Sequence, residues 1–598
     1  MTGSSQTTDT LLHRLREHAR SGPERVAFQQ VDRELNVVRK LNYGELWQRT
    51  AQGAAALREL AEPGDRVLIF FEPGLDPFLA FLSTLAAGMV AVPAALPPAV
   101  SAALAQRKPA ATRRVEAAAN LVRDAEPRVA LASAAAMAEV EALLQRAANH
   151  CKARLHLRSF AAIGENSRSP SSSNANGHES SRMGANLVQR EGAGGIEELS
   201  HDLPSPEAVA FLQYTSGSTA LPKGVVVTHA NLARNLAAIG PFVRSHRESV
   251  FISWLPMFHD MGLVGDSLHP LWVGCRCVKL LPPDFLRRPH LWMAAVSKFK
   301  GTITGGPNFA YQLAADHAGR GTEPPDLSRL EVCYCGSEPI RAATMDAFAA
   351  AYAPHGLRAG AILPCYGMAE STLLVSGVKD DAPFRTVPTP SAGGGPERAV
   401  SCGFPSEAEV SILDPETGEA LPEGVVGEIA VRSRSVSPGY WSALKGAGPL
   451  RFPDEPRTLR TGDLGFLHEG QVYVSGRIKN TLIVRGRKFV AEDVEALLES
   501  ALAPAVERVR SVVFPVATSQ GEEVVVLVEG LTDAEDRKGV EEAVRQTLSE
   551  ACGFVPRHVH LVRPGSVART TSGKLQRQFA AELWSAQALN PDPVSNLA

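Results

Sequence analysis

The stretch Tyr214-Thr215-Ser216-Gly217-Ser218-Thr219-Ala220-Leu221-Pro222-Lys223-Gly224 constrains this chain more than any other. Small, hydroxyl and glycine residues ending in a lysine describe a loop that holds phosphate. Glycines let backbone N–H groups approach the anion with no Cβ in the way, hydroxyls add donors, and the lysine brings positive charge. It is not a Walker loop, which needs Gly-Lys-Ser/Thr opening a helix, because Pro222 precedes Lys223 and Gly224 follows it. On its own, the loop also reads as a Ser/Thr/Gly surface turn.

Runs such as Val67-Leu68-Ile69-Phe70-Phe71, Val209-Ala210-Phe211-Leu212 and Val225-Val226-Val227 read as strands, and they alternate with longer helical patterns. That alternation predicts an α/β fold. In the helix expected over Arg341 to Tyr352, Met345, Phe348 and Tyr352 share one face, and Pro354 and Gly356 end the segment. At 598 residues the chain is too long for one core. After Gly476-Arg477 the pattern becomes a small α+β unit, with Val494, Leu497, Leu498 and Ala501 on one helical face and Val524 to Val528 as a strand. Gly164 to Gly195, rich in Ser, Asn and Gly, reads as a surface excursion. No fixed-period repeat is present.

Composition serves mainly to exclude. A formal net charge of -3 leaves no basic excess with which to neutralise a nucleic-acid backbone. Met1 to Arg20 is polar and charged, unlike a signal peptide, so a cytoplasmic protein is expected. Pro77 to Gln106 has no charged residue, but Gly88, Pro93, Pro97 and Pro98 break it, which predicts a buried helix followed by a buried strand in place of a membrane span. The pairs Cys275/Cys277 and Cys333/Cys335 have one residue between them, a spacing that suits two thiols on one strand face better than zinc.

Four further motifs follow the loop: Tyr366-Gly367-Met368-Ala369-Glu370, Thr461-Gly462-Asp463, Gly476-Arg477-Ile478-Lys479 and Thr571-Ser572-Gly573-Lys574-Leu575. In this order and at these separations the set resembles the adenylate-forming superfamily of acyl-CoA synthetases, luciferases and peptide-synthetase adenylation domains. Within it, Trp254 to Leu263, Gly306 to Tyr311 and Cys335-Gly336-Ser337-Glu338-Pro339-Ile340 look most like the fatty acyl-AMP ligases. The resemblance covers nearly the whole chain. It implies a large N-terminal adenylate-forming domain of several packed sheets and helices, residues 1–478, that binds ATP and acid. A small mobile α+β C-terminal lid, residues 479–598, carries the catalytic lysine. The hinge falls near Asn480, where the superfamily commonly has Asp. The irregular connection at about 379–399 matches a family insertion thought to hinder use of coenzyme A, and it is shorter here than the family usually has.

Activating a fatty acid requires a carboxylate to attack the α-phosphorus of ATP and expel pyrophosphate. The nucleophile is already ionised at neutral pH, so the barrier is anion repulsion and alignment, which calls for lysines, backbone donors and magnesium. By the resemblance, Thr215, Ser216, Gly217, Ser218, Thr219 and Lys223 hold the departing phosphates, and Glu370, with Thr215, binds Mg2+. Tyr366, Gly367 and Met368 with Gly336, Ser337, Glu338 and Pro339 flank adenine. Asp463 accepts the ribose hydroxyls, and Arg477 contacts ribose or phosphate. Lys574 is the catalytic ammonium, able to touch substrate carboxylate and α-phosphate together.

His259 and Asp260 are read as neighbours on a strand, pointing opposite ways, so a direct dyad is not expected. The resemblance puts them at the acyl pocket, with Trp254, Phe309 and Tyr311 as further walls. Each buried methylene is worth roughly 0.8 kcal/mol, so the tunnel's depth decides chain preference. The partner implied for the second step is the phosphopantetheine thiol of a separate acyl carrier protein, because only residues 575–598 follow Lys574. Gly265-Asp266-Ser267-Leu268 echoes a carrier attachment site but sits inside the catalytic domain. Two alternatives stand beside this reading: an acyl-CoA synthetase, and a non-catalytic adenylate-binding module, against which Lys574, Glu370 and Asp463 argue.

Overall fold

The apolar runs on either side of the phosphate-loop sequence pair as antiparallel strands, Val209–Thr215 and Lys223–Thr228. The computed structural model describes residues 9–71, 74–97, 100, 109–148, 156–159, 199, 201–215, 222–321, 323–389, 398–445, 451–484, 487–504, 506–518, 521–531, 537–563, 566–567 and 575–585. The hairpin ends a six-stranded sheet in the order His156–Ser159, Val129–Ala132, Arg66–Phe71, Val90–Ala95, Val209–Thr215, Lys223–Thr228. Its other pairings are parallel, as expected where helices cover both faces.

A nine-stranded sheet packs beside it. Its centre is parallel, in the order Ile362–Gly367, Val332–Cys335, Ile303–Gly306, Val250–Ser253, Arg276–Lys279, Val26–Val31. Four of the motifs leave the carboxyl ends of its central strands, which is where open α/β sheets bind ligands. A four-stranded antiparallel sheet, Glu409–Leu413, Gly427–Ser433, Arg457–His468 and Gln471–Arg477, adds the Thr-Gly-Asp motif from its third strand.

Beyond Arg477 the chain forms a hairpin, Thr481–Val484 with Arg487–Val490, and a three-stranded sheet, Glu507–Thr518, Gly521–Leu531 and His558–Val562. Helices Ala491–Leu502, Arg537–Cys552 and Arg577–Ser585 accompany them. Among the described residues no hydrophobic cluster joins this α+β unit to the rest. One set of clusters ends at Val474 and the other begins at Leu482. The architecture is therefore a large N-terminal and a small C-terminal region.

Most local expectations are met, with two differences. Helix Ala342–Tyr352 buries Met345, Phe348 and Tyr352, and His355 and Gly356 follow its end. Pro77 to Gln106 yields the buried helix Asp76–Ala86 and the buried strand Val90–Ala95. No described helix is long and apolar enough to cross a membrane. Cys277, Cys333 and Cys335 are buried strand thiols whose pKa burial raises. The first difference is on helix Ala491–Leu502. Ala501 is exposed and Leu502 is buried, because four-residue steps from Val494 through Leu498 define the packed stripe. The second is at 379–399, where Thr386–Val387 pairs with Ala399–Val400 as a short ribbon. Residues 390–397 and the excursion at 164–195 lie outside the described residues.

Candidate active site

The phosphate-loop hairpin is pinned at its base, where Thr215 pairs opposite Lys223. Ser216, Gly217, Ser218 and Thr219 lie outside the described residues, as does Lys574. Gly224 has no room for a side chain, because a Cβ would sit 2.8 Å from the ring of Tyr214. The Tyr214 hydroxyl donates to Asp124 Oδ2 at 2.7 Å. One residue beyond Gly224, Val225 bridges to Tyr440, and the Val226 N–H donates to the Gly439 carbonyl at 3.0 Å. This pairing brings an aromatic hydroxyl to the loop's cation. Lys223 Nζ lies 5.1 Å from the centroid of the Tyr440 ring, whose hydroxyl donates to Glu370 Oε1 at 2.8 Å. Burial, then the neighbouring Glu370, push the Tyr440 phenol well up, so it remains a donor at neutral pH.

Glu370 owes its position to a tight reversal. Strand Ile362–Gly367 ends at Gly367, where a Cβ would fall 1.9 Å from the Leu373 carbonyl oxygen. The chain turns through Ala369–Ser371 into Thr372 at φ 68°, an unfavourable region for a β-branched residue. The Thr372 hydroxyl anchors that conformation by donating to the Ser435 carbonyl at 2.8 Å. The Ser437 N–H donates to the Glu370 carbonyl at 2.8 Å, so residues 435–440 fix both the backbone and the carboxylate of Glu370.

On the other side of that turn, the Tyr366 hydroxyl donates to Asp463 Oδ2 at 2.8 Å, and Arg477 Nε lies 2.6 Å from Asp463 Oδ1. Asp463 and Arg477 are register partners on adjacent strands, which is why motifs separated in sequence meet here. Gly462 at φ 73° makes the bend, and the Thr461 hydroxyl accepts from the Asp463 N–H at 3.0 Å. Burial raises the Asp463 carboxyl pKa, while Arg477 and Tyr366 oppose the rise. Each carboxylate oxygen keeps lone-pair capacity beyond these contacts, enough to accept ribose hydroxyls.

Several expected site residues stand elsewhere or do something else. Glu338 turns its carboxylate to the start of helix Asn308–Asp316, accepting from the Phe309 N–H at 2.6 Å as a capping contact. Ser337, at φ 72°, and Gly336 do lie beside Tyr366, and Pro339 is exposed. Tyr311 is wholly buried, with its hydroxyl donating to the Tyr334 carbonyl at 2.6 Å and its ring against Trp292 and Phe348. Trp254 stacks on Phe285 at 3.9 Å and meets Phe309 edge-on. These aromatics form core beneath the site and do not wall its cavity. His259 and Asp260 are not on a strand: they occupy a turn, and Asp260 Oδ1 accepts from the Met261 N–H at 2.7 Å as the N-cap of helix Met261–Leu268. The turn is tied to the phosphate-loop strand, since Gln213 Nε2 donates to the Phe258 carbonyl at 2.9 Å.

An apolar cavity is lined by Tyr366, Gly367 and Ser337, by Met261, Cys365 and Leu373, and by Ile239, Phe242, Val243, Phe251 and Tyr334. Sequence reasoning named the first three of these residues and missed the apolar walls, as it missed Tyr440. Met261 lay within a motif already quoted, and Tyr440 follows a Pro-Gly turn, the one local signal that marks it.

A carboxylate and a phenol beside a loop lysine, a Tyr-Asp-Arg cluster suited to a nucleoside, and an apolar cavity beside Tyr366 fit an adenylate-forming ligase. Comparison with known proteins agrees. The AMP-binding enzyme family matches residues 15–441, and the chain belongs to that family. It is 31% identical over 617 aligned residues to the long-chain-fatty-acid–AMP ligase FadD23 of Mycobacterium tuberculosis, covering 95% of each chain. Among solved structures it resembles a fatty acyl-adenylate ligase from a study of the E. coli and L. pneumophila enzymes, with TM-score 0.79, 28% identity and 97% and 98% of the two chains covered. It also resembles the L. pneumophila fatty acyl-adenylate ligase solved with acyl adenylate and pyrophosphate, with TM-score 0.65, 29% identity and coverage of 97% and 96%.

Proposed function

We propose that this protein is an ATP-dependent fatty acyl-AMP ligase that activates a fatty acid as its adenylate and passes the acyl group to the phosphopantetheine thiol of a separate carrier protein in the cytoplasm. The observation that carries the reading is the apolar cavity lined by Tyr366 and Ser337, next to Asp463 and Arg477. An acyl chain lying in it presents its carboxylate to the nucleotide side, where water is scarce and fixed charges act strongly.

In this reading Tyr366 packs against adenine while Asp463 accepts from the ribose. Lys223 and the loop from Thr215 to Thr219 hold the β- and γ-phosphates. The acid's carboxylate oxygen attacks the α-phosphorus, the bond to the bridging oxygen breaks, and pyrophosphate leaves. Lys574, carried on a lid from about residue 479 with its hinge near Asn480, spans the two reacting anions. Glu370 and Thr215 offer hard oxygen donors that fit magnesium, and strand Lys223–Thr228 packs against the turn Ala369–Ser371. Bound there, magnesium supplies charge neutralisation for the triphosphate. A carrier thiol then attacks the acyl carbonyl, and AMP leaves.

The test is incubation of the full chain with ATP, magnesium and laurate, together with either a phosphopantetheinylated carrier or coenzyme A. Thioester on the carrier and little acyl-CoA is the expected result. Efficient acyl-CoA release overturns the carrier half of the proposal. Lys574→Ala should lose pyrophosphate exchange by roughly a hundredfold or more, the scale of removing one charge-stabilising donor. Absence of exchange by wild type with every acid from acetate to stearate would instead favour a non-catalytic module.

A further inference from the structure

A polar bond lies in the lining of the apolar cavity. Tyr334 lies on strand Val332–Cys335, two residues before Gly336 and roughly 7 Å from it along the chain. Its ring occupies space that Gly305 vacates on the neighbouring strand, where a Cβ would fall 2.4 Å from the ring. Phe242 fills the matching gap over Gly377 and meets Tyr334 edge-on, with centroids 6.5 Å apart. The two rings make a floor.

What holds that floor is unusual for an apolar channel. The Tyr334 hydroxyl donates to Asp266 Oδ1 on helix Met261–Leu268, which packs across the cavity from the sheet. Asp266 is wholly buried, and the buried ammonium of Lys279 reaches Ser253 Oγ at 3.3 Å in the same cluster. Phenylalanine against leucine would close the channel without a buried charge, whose burial is costly unless it is paired. The bond adds orientation: it ties strand to helix across the end of the cavity and stops the ring from swinging aside. Gly265, beside Asp266, leaves the last open space, since a Cβ there would lie 3.3 Å from Leu373 Cδ2 and 3.6 Å from the Tyr334 hydroxyl.

We propose that Tyr334, fixed by Asp266, is the specificity-determining residue that ends the acyl channel and sets a sharp upper limit on the length of the acid. The proposal rests on the fatty-acid reading above. Below the limit each methylene adds about fourfold to kcat/KM, and above it the next methylene has no space.

The experiment measures pyrophosphate release by the full chain for straight-chain acids from butyrate to stearate, and thermal shifts with acyl-sulfamoyl adenosines of the same lengths. Replacing both partners with apolar residues, Tyr334→Ala with Asp266→Val, should move the cutoff to acids longer by about two methylenes or more. Gly265→Ala, which suits a helical position and fills the last gap, should move it shorter. Tyr334→Phe keeps the ring and loses the tether, so the cutoff should stay near its place and become shallow. A length profile unchanged in Gly265→Ala and in the double variant, with shorter acids still activated, overturns this inference and leaves the fatty-acid reading intact. Failure of folded wild type to release pyrophosphate with any acid overturns the fatty-acid reading itself.

Discussion

Removing Arg577 should unfold the C-terminal unit and leave the large region standing. Arg577 follows the lysine-bearing segment and is mostly buried between two acids of helix Ala491–Leu502. It lies 2.9 Å from Glu492 Oε1, 2.8 Å from Glu495 Oε1 and 2.5 Å from Glu495 Oε2. Glu495 also accepts from the Val513 N–H at 2.9 Å, so this one carboxylate joins helix, sheet and the segment after Lys574. Breaking a buried pair by deleting one partner costs about 3–5 kcal/mol, because the other charge stays buried and uncompensated. A domain of this size holds only about 5–15 kcal/mol in total, so Arg577→Met takes a large share of it. Burial pushes the Glu495 carboxyl up and Arg577 opposes the rise, so without Arg577 the folded-state pKa climbs further above its unfolded value. A raised carboxyl contributes stability at low pH that is lost as pH rises through the folded value, so the variant's deficit should be larger at pH 8.5 than at pH 6. Trp584 is the one tryptophan after residue 478, and its fluorescence in urea follows this unit. Adding Glu495→Met to Arg577→Met should recover part of the loss, since an apolar pair can replace a buried ionic one while Glu492 and the Val513 N–H still lose their partner. A single-variant loss below about 1 kcal/mol, or one equal at both pH values, refutes the reasoning.

Three further outcomes follow from the geometry. Tyr440→Phe removes the donor to Glu370, a hydrogen bond to a charged group worth about 1.5–3 kcal/mol, so kcat/KM for ATP should fall roughly tenfold or more with thermal stability nearly unchanged. An unaltered constant would separate Tyr440 from the chemistry. Gly367→Ala places a Cβ 1.9 Å from the Leu373 oxygen and should destabilise by about 1–3 kcal/mol or more while displacing Glu370, seen as a lower urea midpoint together with lost pyrophosphate exchange. His229 and His269 are buried and neutral, their pKa values lowered by burial to about 4 and about 3. Depressed values mean that their stability contribution is complete above pH 6.5 and is lost as pH falls toward 4 and then 3. Each should cost about 2 kcal/mol between pH 7 and pH 5. His229→Leu should therefore flatten that decline, and an equally steep one would count against the assignment.

The parts of this protein legible in sequence are those fixed within a few residues. Val67 to Phe71 and Val225 to Val227 read as strands because they are short apolar runs, β-branched where Val and Ile fall and flanked by glycine or proline within a few residues, too short for a helix of their own. Lys223, Glu370 and Asp463 were nameable because each stands in a short motif that carries the family resemblance, and each of those motifs holds a glycine that the chain needs for a tight approach or a positive φ. What sequence could not supply is which neighbour arrives from afar. The capping contact of Glu338 depends on the approach of helix Asn308–Asp316, whose Phe309 lies 29 residues earlier in the chain. Tyr311 looked like a pocket wall because its motif is a pocket motif, yet its position on that helix turns it into the aromatic core with Trp292 and Phe348. His259-Asp260 carried a readable signal that the strand assignment overrode, an aspartate just ahead of Met261-Gly262-Leu263-Val264, which is an N-cap pattern.

The cavity shows the same limit in its strongest form. Gly265, Gly305 and Gly377 are ordinary letters in the sequence, but in space they vacate volume around one point, and Tyr334 grows into it from a neighbouring strand and Phe242 from helix His229–Val243. A missing side chain specifies a hole only once the element facing it is known. For that reason the nucleotide side of the site, built from short loops with their own conformational requirements, could be read residue by residue. The acyl side, built from coincident absences on distant elements, required the fold. The same argument ranks the variants: substitutions at Gly265 and Tyr334 should change which acid is used, whereas those at Gly367 and Tyr440 should change whether any acid is activated, and a crossover between these two classes in a length-resolved assay would break the division.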